Sequence, residues 1–266
     1  MAGTLKRWDG TQFKTGGTLK RWDGTQFKAG GTMRRWNGVH FVPDPARGTA
    51  INSNTAEGGT DGTAITLVNQ TGGASGTQFS QINGGAIAFS STSVAQGAMA
   101  YRLTQAAGSV CSFTWGTATP TEIFLRGYYY FTGYGTASHG IMDSYNGSST
   151  IFRLSMTGTA TTAGQLRLVY TSTTTLAQST GALALNTWYR IELRAKVGTT
   201  DGAMEARAYI GSTYTVAASV SATNVNTGAL ALNNVKFGSN TGATTPTIPV
   251  VYMDNIAYGT TGWIGA

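Results

Sequence analysis

Apolar and polar residues alternate in short runs from about residue 64 onward. Runs such as AIAFSS, SVCSFTW, EIFLRGYYYF and GQLRLVYTS are separated by stretches rich in Gly, Thr, Ser and Asn. Alternation with a period of two residues is typical of strands with one buried face, and these runs lack the period of roughly 3.6 residues that marks a helix. About eleven such runs predict an antiparallel β-sandwich.

The beginning of the chain follows a different pattern, a repeat with a period of 14 residues. GTLKRWDGTQFK starts at Gly3 and again at Gly17, and an altered copy, GTMRRWNGVHFV, starts at Gly31. Each copy has Asp-Gly or Asn-Gly between two short β-prone runs, which is the strongest local signal for a two-residue hairpin turn. In the first copy this turn would place Trp8 opposite Thr11. Each copy therefore predicts strand, tight turn, strand.

An isolated hairpin of this size is marginal in water, so its apolar residues need partners from other copies of the chain. We therefore expect three chains to wind their repeats into a fibrous homotrimeric stalk that also docks on a partner. The aromatic and basic residues at equivalent positions of the repeats are the candidates for oligomerisation and docking: Trp8, Phe13, Trp22, Phe27, Trp36, Phe41, Arg7, Arg21 and Arg35.

The repeats resemble a known family. LKRWDGTQF and RRWNGVHFVP resemble short units in minor tail proteins of tailed bacteriophages of actinobacterial hosts, over about the first 43 residues. The resemblance implies a virion structural protein of the phage tail, with other phage tail proteins as partners. It implies a protein made in the host cytoplasm and extracellular after release.

The positive charge of the repeats is also compatible with a function other than assembly of a stalk. Residues 1–42 contain eight of the 18 Lys and Arg residues and two of the 11 Asp and Glu residues, so most of the net charge of +7 lies there. Basic residues interleaved with Trp and Phe also suit an exposed linker or an arm that binds nucleic acid. The turn residues repeat more strictly than the charges do, so we favour docking on protein and expect no nucleic-acid partner.

Two prolines mark the boundary of the repeats. Pro43 and Pro45 lie in VPDPARG, where they would end a strand, and a polar, Gly-rich stretch follows. We predict a stalk over residues 1–43, a linker over 44–63 and a sandwich over 64–266.

The order of runs in the second half carries another resemblance. LNTWYRIELRAKVG, its hairpin partner DGAMEARAYIG, and the late run VVYMDNIAYG are similar to the concanavalin A-like jelly roll of laminin-G-type and legume-lectin-like domains. The resemblance covers roughly residues 120–258. It implies two antiparallel sheets with one face available for a glycan.

Composition narrows the function classes further. The single cysteine, Cys111, cannot form a disulfide within one chain, and we predict a small buried thiol there. No apolar run reaches the length of about 18 residues that spans a membrane, and the start of the chain lacks the pattern of a signal peptide. We therefore expect no membrane span.

Tyrosines cluster in RGYYYFTGYG, and DSYNGSS follows shortly after. On a strand, Tyr128 and Tyr130 would share one face while Tyr129 and Phe131 share the other, so one pair should be buried. The proposed platform for stacking sugar rings consists of Tyr128, Tyr130, Tyr134, Tyr145 and Asn146. The alternative is that these aromatics only pack within the sheets.

Catalytic signals are weak. The run of closely spaced carboxylates that jelly-roll glycosidases use, E-x-D-x-x-E, is absent from the sequence. Glu192 and Glu205 lie on strands predicted to pair, where they would either approach one another or form cross-strand ion pairs with nearby arginines. His139 falls in a predicted loop. We therefore expect no enzymatic activity.

Cofactor signals are equally sparse. Asp143 and Asp254 are weak candidates for Ca²⁺, because each is followed by further oxygen-bearing side chains but neither lies in a complete calcium loop. We expect no other cofactor.

These observations together predict a tail-fibre-like adhesin. Its repeats anchor it to the particle, and its lectin-like domain faces host cell-surface polysaccharide. Two alternatives remain: a depolymerase of cell-wall polysaccharide on the same fold, or a virion decoration protein that binds no ligand.

Overall fold

The computed structural model describes residues 47–70, 75–105, 110–134, 138–158, 164–171, 173–239 and 250–265, together with the backbone of six short strands nearer the start of the chain. The chain divides into two compact units, residues 1–46 and 47–266. Within the described residues, no helix is long and apolar enough to cross a membrane.

The first unit contains three antiparallel strand pairs, one for each repeat. The strands are β1 (Lys6–Trp8), β2 (Phe13–Thr15), β3 (Lys20–Trp22), β4 (Phe27–Ala29), β5 (Arg34–Trp36) and β6 (Phe41–Pro43). The side chains of residues 1–46, and the predicted turn residues, lie outside the described residues.

The register of these pairs corrects the predicted hairpin. Trp8 pairs with Phe13, and the later repeats pair their Trp and Phe in the same way. The connection therefore has four residues, and the prediction that Trp8 faces Thr11 is wrong. Directly opposed aromatic residues are a favourable cross-strand pair, which the two-residue turn would have separated. Assembly into a trimeric stalk stays a prediction.

The second unit is an antiparallel sandwich of two sheets, which confirms the predicted all-β sandwich. Sheet 1 has the strand order β19-β18-β17-β12-β21-β10-β9, with β7 also pairing with β21. Its strands are β7 (Ala50–Asn54), β9 (Ala86–Ser90), β10 (Ala100–Thr104), β12 (Glu122–Phe131), β17 (Trp188–Lys196), β18 (Gly202–Ile210), β19 (Val216–Val225) and β21 (Val251–Gly259).

Sheet 2 faces sheet 1 across the core and has the strand order β16-β15-β14-β13-β20-β11-β8. Its strands are β8 (Gln81–Asn83), β11 (Cys111–Gly116), β13 (His139–Asn146), β14 (Ser149–Thr157), β15 (Gly164–Tyr170), β16 (Thr174–Leu183) and β20 (Asn234–Ser239).

The sandwich begins earlier than the sequence suggests, because β7 lies within the predicted linker 44–63. The buried residue of this strand is Asn54, which is fully enclosed, so the hydrophobic pattern does not reveal it. Asn54 is satisfied internally: its Oδ1 accepts hydrogen bonds from the Tyr101 hydroxyl and from the Ala56 N–H.

The segment HGIMDSYN, predicted to be a loop, is the central strand β13 of sheet 2. Its polar residues and Gly140 hide the strand pattern, yet seven of its eight residues are buried. Conversely, AITLVNQ contributes one isolated bridge at Ala64 followed by a turn, and its Val68 is 91% exposed.

Aromatic side chains fill the layer between the sheets. Phe79 stacks on Phe113 at 4.5 Å and on Trp115 at 4.9 Å between ring centroids. Tyr129 lies in the same core, and its hydroxyl donates to the Ile141 carbonyl of sheet 2 at 3.0 Å. The predicted division of β12 is therefore confirmed: Tyr129 and Phe131 face the core, and Tyr128 and Tyr130 face outward.

Candidate functional site

The five residues predicted to form one sugar platform do not meet. Tyr128 and Tyr130 lie on the outer face of sheet 1, whereas Tyr145 lies on the outer face of sheet 2. Tyr134 is in the core, 2% exposed, with its hydroxyl donating to the Leu183 carbonyl, so it cannot stack on a ligand. Asn146 donates its Nδ2 hydrogen to the Ala231 carbonyl.

Tyr128 is also withdrawn from solvent. It is 1% exposed, and its hydroxyl accepts a hydrogen bond from the Gln96 amide at 3.0 Å. The prediction that it lines an open platform is wrong, because the segment around Gln96 covers it. Of the predicted tyrosines on sheet 1, only Tyr130 retains partial exposure.

Tyr130 belongs to a line of aromatic side chains across three adjacent strands. Tyr252 of β21 and Trp188 of β17 are its register partners on either side. The ring centroids lie 5.9 Å and 5.6 Å from that of Tyr130. We call Tyr252, Tyr130 and Trp188 the aromatic row. Exposed Arg102 pairs with Tyr252 and extends the row by one strand.

The rest of the outer face of sheet 1 carries charged residues that pair with one another. Arg194 forms ion pairs with Glu122 and Glu205, and Arg190 Nε lies 3.0 Å from Glu192 Oε1. Of the alternatives left open, Glu205 therefore has the predicted cross-strand ion pair with Arg194, whereas Glu192 is paired with Arg190 of its own strand.

A segment near the end of the described chain covers part of this charged face. Arg126 donates to the Gly265 carbonyl at 3.0 Å, and the Gly265 backbone lies where it favours the charged form of Glu192 and so opposes the rise of its pKa. Trp263 lies beneath the Arg207 guanidinium at 4.3 Å and against Phe124. Glu192 is consequently 2% exposed, and its burial raises the pKa of the carboxyl group.

Asp254 fastens another segment to sheet 1. Its Oδ2 accepts the N–H groups of Ala95 and Gln96, at 3.1 and 2.8 Å. Burial raises the pKa of this carboxyl group to about 7, although those N–H groups oppose the shift. The side chain that sequence reasoning considered for Ca²⁺ thus serves here as an acceptor for the backbone.

The outer face of sheet 2 centres on a buried carboxylate. Asp143 is fully buried and accepts hydrogen bonds from Arg153, with Nη2 at 2.8 Å, and from the Tyr145 hydroxyl at 2.9 Å. Lys236 lies over the Tyr145 ring at 4.2 Å. We call Asp143, Tyr145, Arg153 and Lys236 the Asp143 network.

Burial dominates the electrostatics of this network. It raises the pKa of Asp143, while the hydrogen bonds from Arg153 and Tyr145 oppose that rise. It also raises the pKa of Tyr145, and the neighbouring Asp143 charge raises it further. Tyr145 is therefore a phenol at neutral pH. Because Asp143 is already bound by a guanidinium, its oxygens do not suit a Ca²⁺ ion.

His139 lies on the inward side of β13 and is 1% exposed. Burial and the Arg153 charge lower its pKa to about 4, so the imidazole is neutral at pH 7. Cys111 is buried as expected, and burial raises the pKa of its thiol to about 11. Across the described ranges, no three His, Cys, Asp or Glu residues form a cluster able to hold a metal ion.

No protein-family model matches the chain, and no curated protein matches it. Solved structures with a similar fold include the alginate lyase vAL-1 from Chlorella virus, 12% identical over 76% of this chain and 100% of that one, with a TM-score of 0.47. The CBM2 module of the evolved Dit of Lactobacillus casei BL23 phage J-1 is 11% identical over 79% and 96%, with a TM-score of 0.43. A GH43 glycoside hydrolase is 8% identical over 65% of this chain and 36% of that one, with a TM-score of 0.43.

These neighbours contradict the expectation that the chain is not an enzyme. A polysaccharide lyase and a glycoside hydrolase are among the solved structures to which this chain is similar. Likeness at this level concerns the fold and assigns no substrate to this chain.

The raised pKa of Asp254 predicts a specific pH dependence of stability. Because its pKa is higher in the folded chain than the usual 3.8, the folded state binds more protons between about pH 4 and 7, and stability falls as pH rises through that window. Asp254→Asn keeps an oxygen acceptor without the charge. Its unfolding free energy should therefore not fall between pH 4 and 7 as that of the unmodified chain does. We expect the difference, variant minus unmodified chain, to rise over this range by a few kcal/mol, on the order of 1.4 kcal/mol per unit of pKa shift.

Urea unfolding at several pH values measures this difference. Asp201→Asn is the control, because the Lys196 ammonium lowers the pKa of that exposed carboxyl group and the difference should change in the opposite direction, below about pH 4. Parallel stability curves for Asp254→Asn and the unmodified chain would contradict the assignment.

Proposed function

We propose that the sandwich binds polysaccharide through the aromatic row. The observation that supports this is the placement of Tyr252, Tyr130 and Trp188 side by side on neighbouring strands, with Tyr130 and Trp188 partly open to solvent. Aromatic rings bury the C–H faces of sugars while leaving hydroxyl groups free for polar contacts. Arg102, exposed at the end of the row, supplies hydrogen-bond donors.

We propose that this binding domain is part of a virion. The 14-residue repeats, similar to those of phage minor tail proteins, support a role as an N-terminal mount on the tail, and the sandwich is then a jelly roll of the lectin-like kind. Host cell-surface polysaccharide is the ligand that such a protein would meet. If three chains share one stalk, three weak sites act together, and avidity rises without any new contact.

Substitutions in the aromatic row should weaken glycan binding while leaving the fold intact. We expect Trp188→Ala and Tyr130→Ala each to lower affinity for purified host-envelope polysaccharide by about tenfold, equivalent to about 1.4 kcal/mol. Affinity electrophoresis measures the change. Leu230→Ala, which removes an exposed apolar side chain outside the row, should have no effect. If the unmodified chain binds no envelope polysaccharide at high concentration, the decoration-protein alternative is the better reading.

The stalk proposal predicts the mass of the protein in solution. We expect the full chain to be a trimer by light scattering and a chain starting at Arg47 to be a monomer, because the apolar residues of the short hairpins need partners from other chains. If both chains are monomeric, the repeats do not assemble the protein by themselves. The nucleic-acid-binding arm should then be tested with labelled DNA.

A depolymerase is the second candidate, and the Asp143 network favours it. The Tyr145 phenol, which donates its hydrogen to the Asp143 carboxylate and lies under the Lys236 ammonium group, is 7% exposed on the outer face of sheet 2 and could act as a proton donor there. A proton donor beside the leaving oxygen is one requirement for cleaving a glycosidic bond.

Cleavage would appear as new chain ends and a falling chain length of host-envelope polysaccharide. We expect Tyr145→Phe to abolish it, because the variant keeps the ring and loses the proton. Tyr170→Phe, which alters a tyrosine on β15 outside the network, should retain it. If the unmodified chain leaves the polymer length unchanged, the sandwich is a binding domain only.

A further inference from the structure

The charges of sheet 2 all lie on its outer face. Its seven strands contain four residues that are charged at neutral pH: Asp143, Arg153, Arg167 and Lys236. Lys236 pairs with Asp143, and Asp143 with Arg153, so their side chains share one face. Arg167 pairs with Ser155, two residues beyond Arg153, and lies on that face too. Three cations therefore accompany one anion.

Only one of the three cations is neutralised. Asp143 accepts hydrogen bonds from Arg153 through both carboxylate oxygens. Lys236 lies over an aromatic ring instead, and among the described residues neither Lys236 nor Arg167 forms an ion pair. The outer face of sheet 2 consequently carries an excess of positive charge.

Unpartnered polar atoms lie on the same face. Thr114 is 2% exposed, pairs with Lys236 in the sheet, and has no hydrogen-bond partner for Oγ1. Arg167 Nε is likewise buried without a partner. Buried polar atoms without partners cost folding free energy, so Thr114 Oγ1 and Arg167 Nε would each gain from a polar ligand bound on this face.

The spacing of the two free cations indicates the size of that acceptor. Lys236, Asp143, Arg153 and Arg167 occupy four consecutive strands, β20, β13, β14 and β15. At about 4.8 Å between strands, the outer two are about 14 Å apart across the sheet and, because Arg167 is two residues further along its strand, about 16 Å apart in all, which is the length of an oligosaccharide rather than of one small ion.

We infer that the outer face of sheet 2 binds an acidic polysaccharide, with Lys236 and Arg167 each contacting an anionic group along the chain. This site lies on the opposite side of the sandwich from the aromatic row and does not depend on it. If the depolymerase candidate is correct, the inference also names its substrate class.

Calorimetric titration of the full chain tests this inference. The probes are polygalacturonate, poly(glycerol phosphate) and neutral dextran, at about 0.05 M and 0.5 M salt. We expect an acidic polymer to bind at low salt, to weaken at high salt because exposed charges are screened, and dextran to bind this face at neither salt concentration. Binding of poly(glycerol phosphate) but not of polygalacturonate would support the site and identify phosphate as the anionic group of the ligand.

Charge-matched variants locate the site. The double variant Lys236→Gln, Arg167→Gln should lose at least about tenfold in affinity, and Lys236→Arg should retain binding because it keeps the charge. The single variant Lys236→Gln should lose part of that affinity. Lys196→Gln, which likewise removes one positive charge but from sheet 1, is its control and should have no effect. Thermal unfolding confirms that each variant is folded.

Two results would overturn the inference. One is the absence of binding to either acidic polymer at low salt. The other is a loss of affinity in Lys196→Gln as large as that in Lys236→Gln, or binding of single-stranded DNA as tight as that of the acidic polymer. Either result would mean that the net charge of the protein alone accounts for the binding. Trp188→Ala should leave acidic-polymer binding unchanged, so failure of the aromatic-row proposal and failure of this one are distinguishable.

Discussion

Every strand of the two sheets has to send alternate side chains into one apolar layer, and the remaining features of the sandwich depend on that requirement. Leu154, Leu166 and Phe237 enter the layer from sheet 2 and are fully buried. Their neighbours in sequence, Arg153, Arg167 and Lys236, are then forced to the outside. The same alternation buries Tyr129 and leaves Tyr130 outside. Packing of the core therefore decides which chemical groups each outer face presents.

The two outer faces differ in how their charges are used. Sheet 1 pairs several of its charges internally, as Arg194 does with Glu205, and chain segments fastened by Arg126 and Asp254 cover part of its outer face. The aromatic row and the exposed Arg102 remain available there. Sheet 2 has few charges and one buried carboxylate, so its cations are only partly compensated. One sandwich thus presents two surfaces with different ligand chemistry.

Sequence reasoning succeeded where local alternation was strong and failed where the outcome depended on distant strands. That Tyr129 and Tyr128 lie on opposite faces follows from alternation within a single strand, so it was predictable. The aromatic row was not, because Tyr252, Tyr130 and Trp188 come together only through the strand order of sheet 1. Strand β13 was missed because its buried residues include Asp143, whose enclosure depends on Arg153 from the next strand. Asn54 concealed β7 in the same way, through its partner Tyr101.

Strand β21 maintains its pairing through an irregularity. Asn255 and Ile256 together lie opposite the single residue Gly127, and Asn255 has a φ of 44°, a conformation that Asn tolerates better than most residues. The extra residue lets Met253 and Ile256 both face the core, although a regular strand would turn one of them outward. Loss of one residue at this point would reverse the facing of half a central strand. Even a one-residue insertion or deletion in β21 is therefore selected against, whereas surface loops of the same chain are free to lengthen or shorten in evolution.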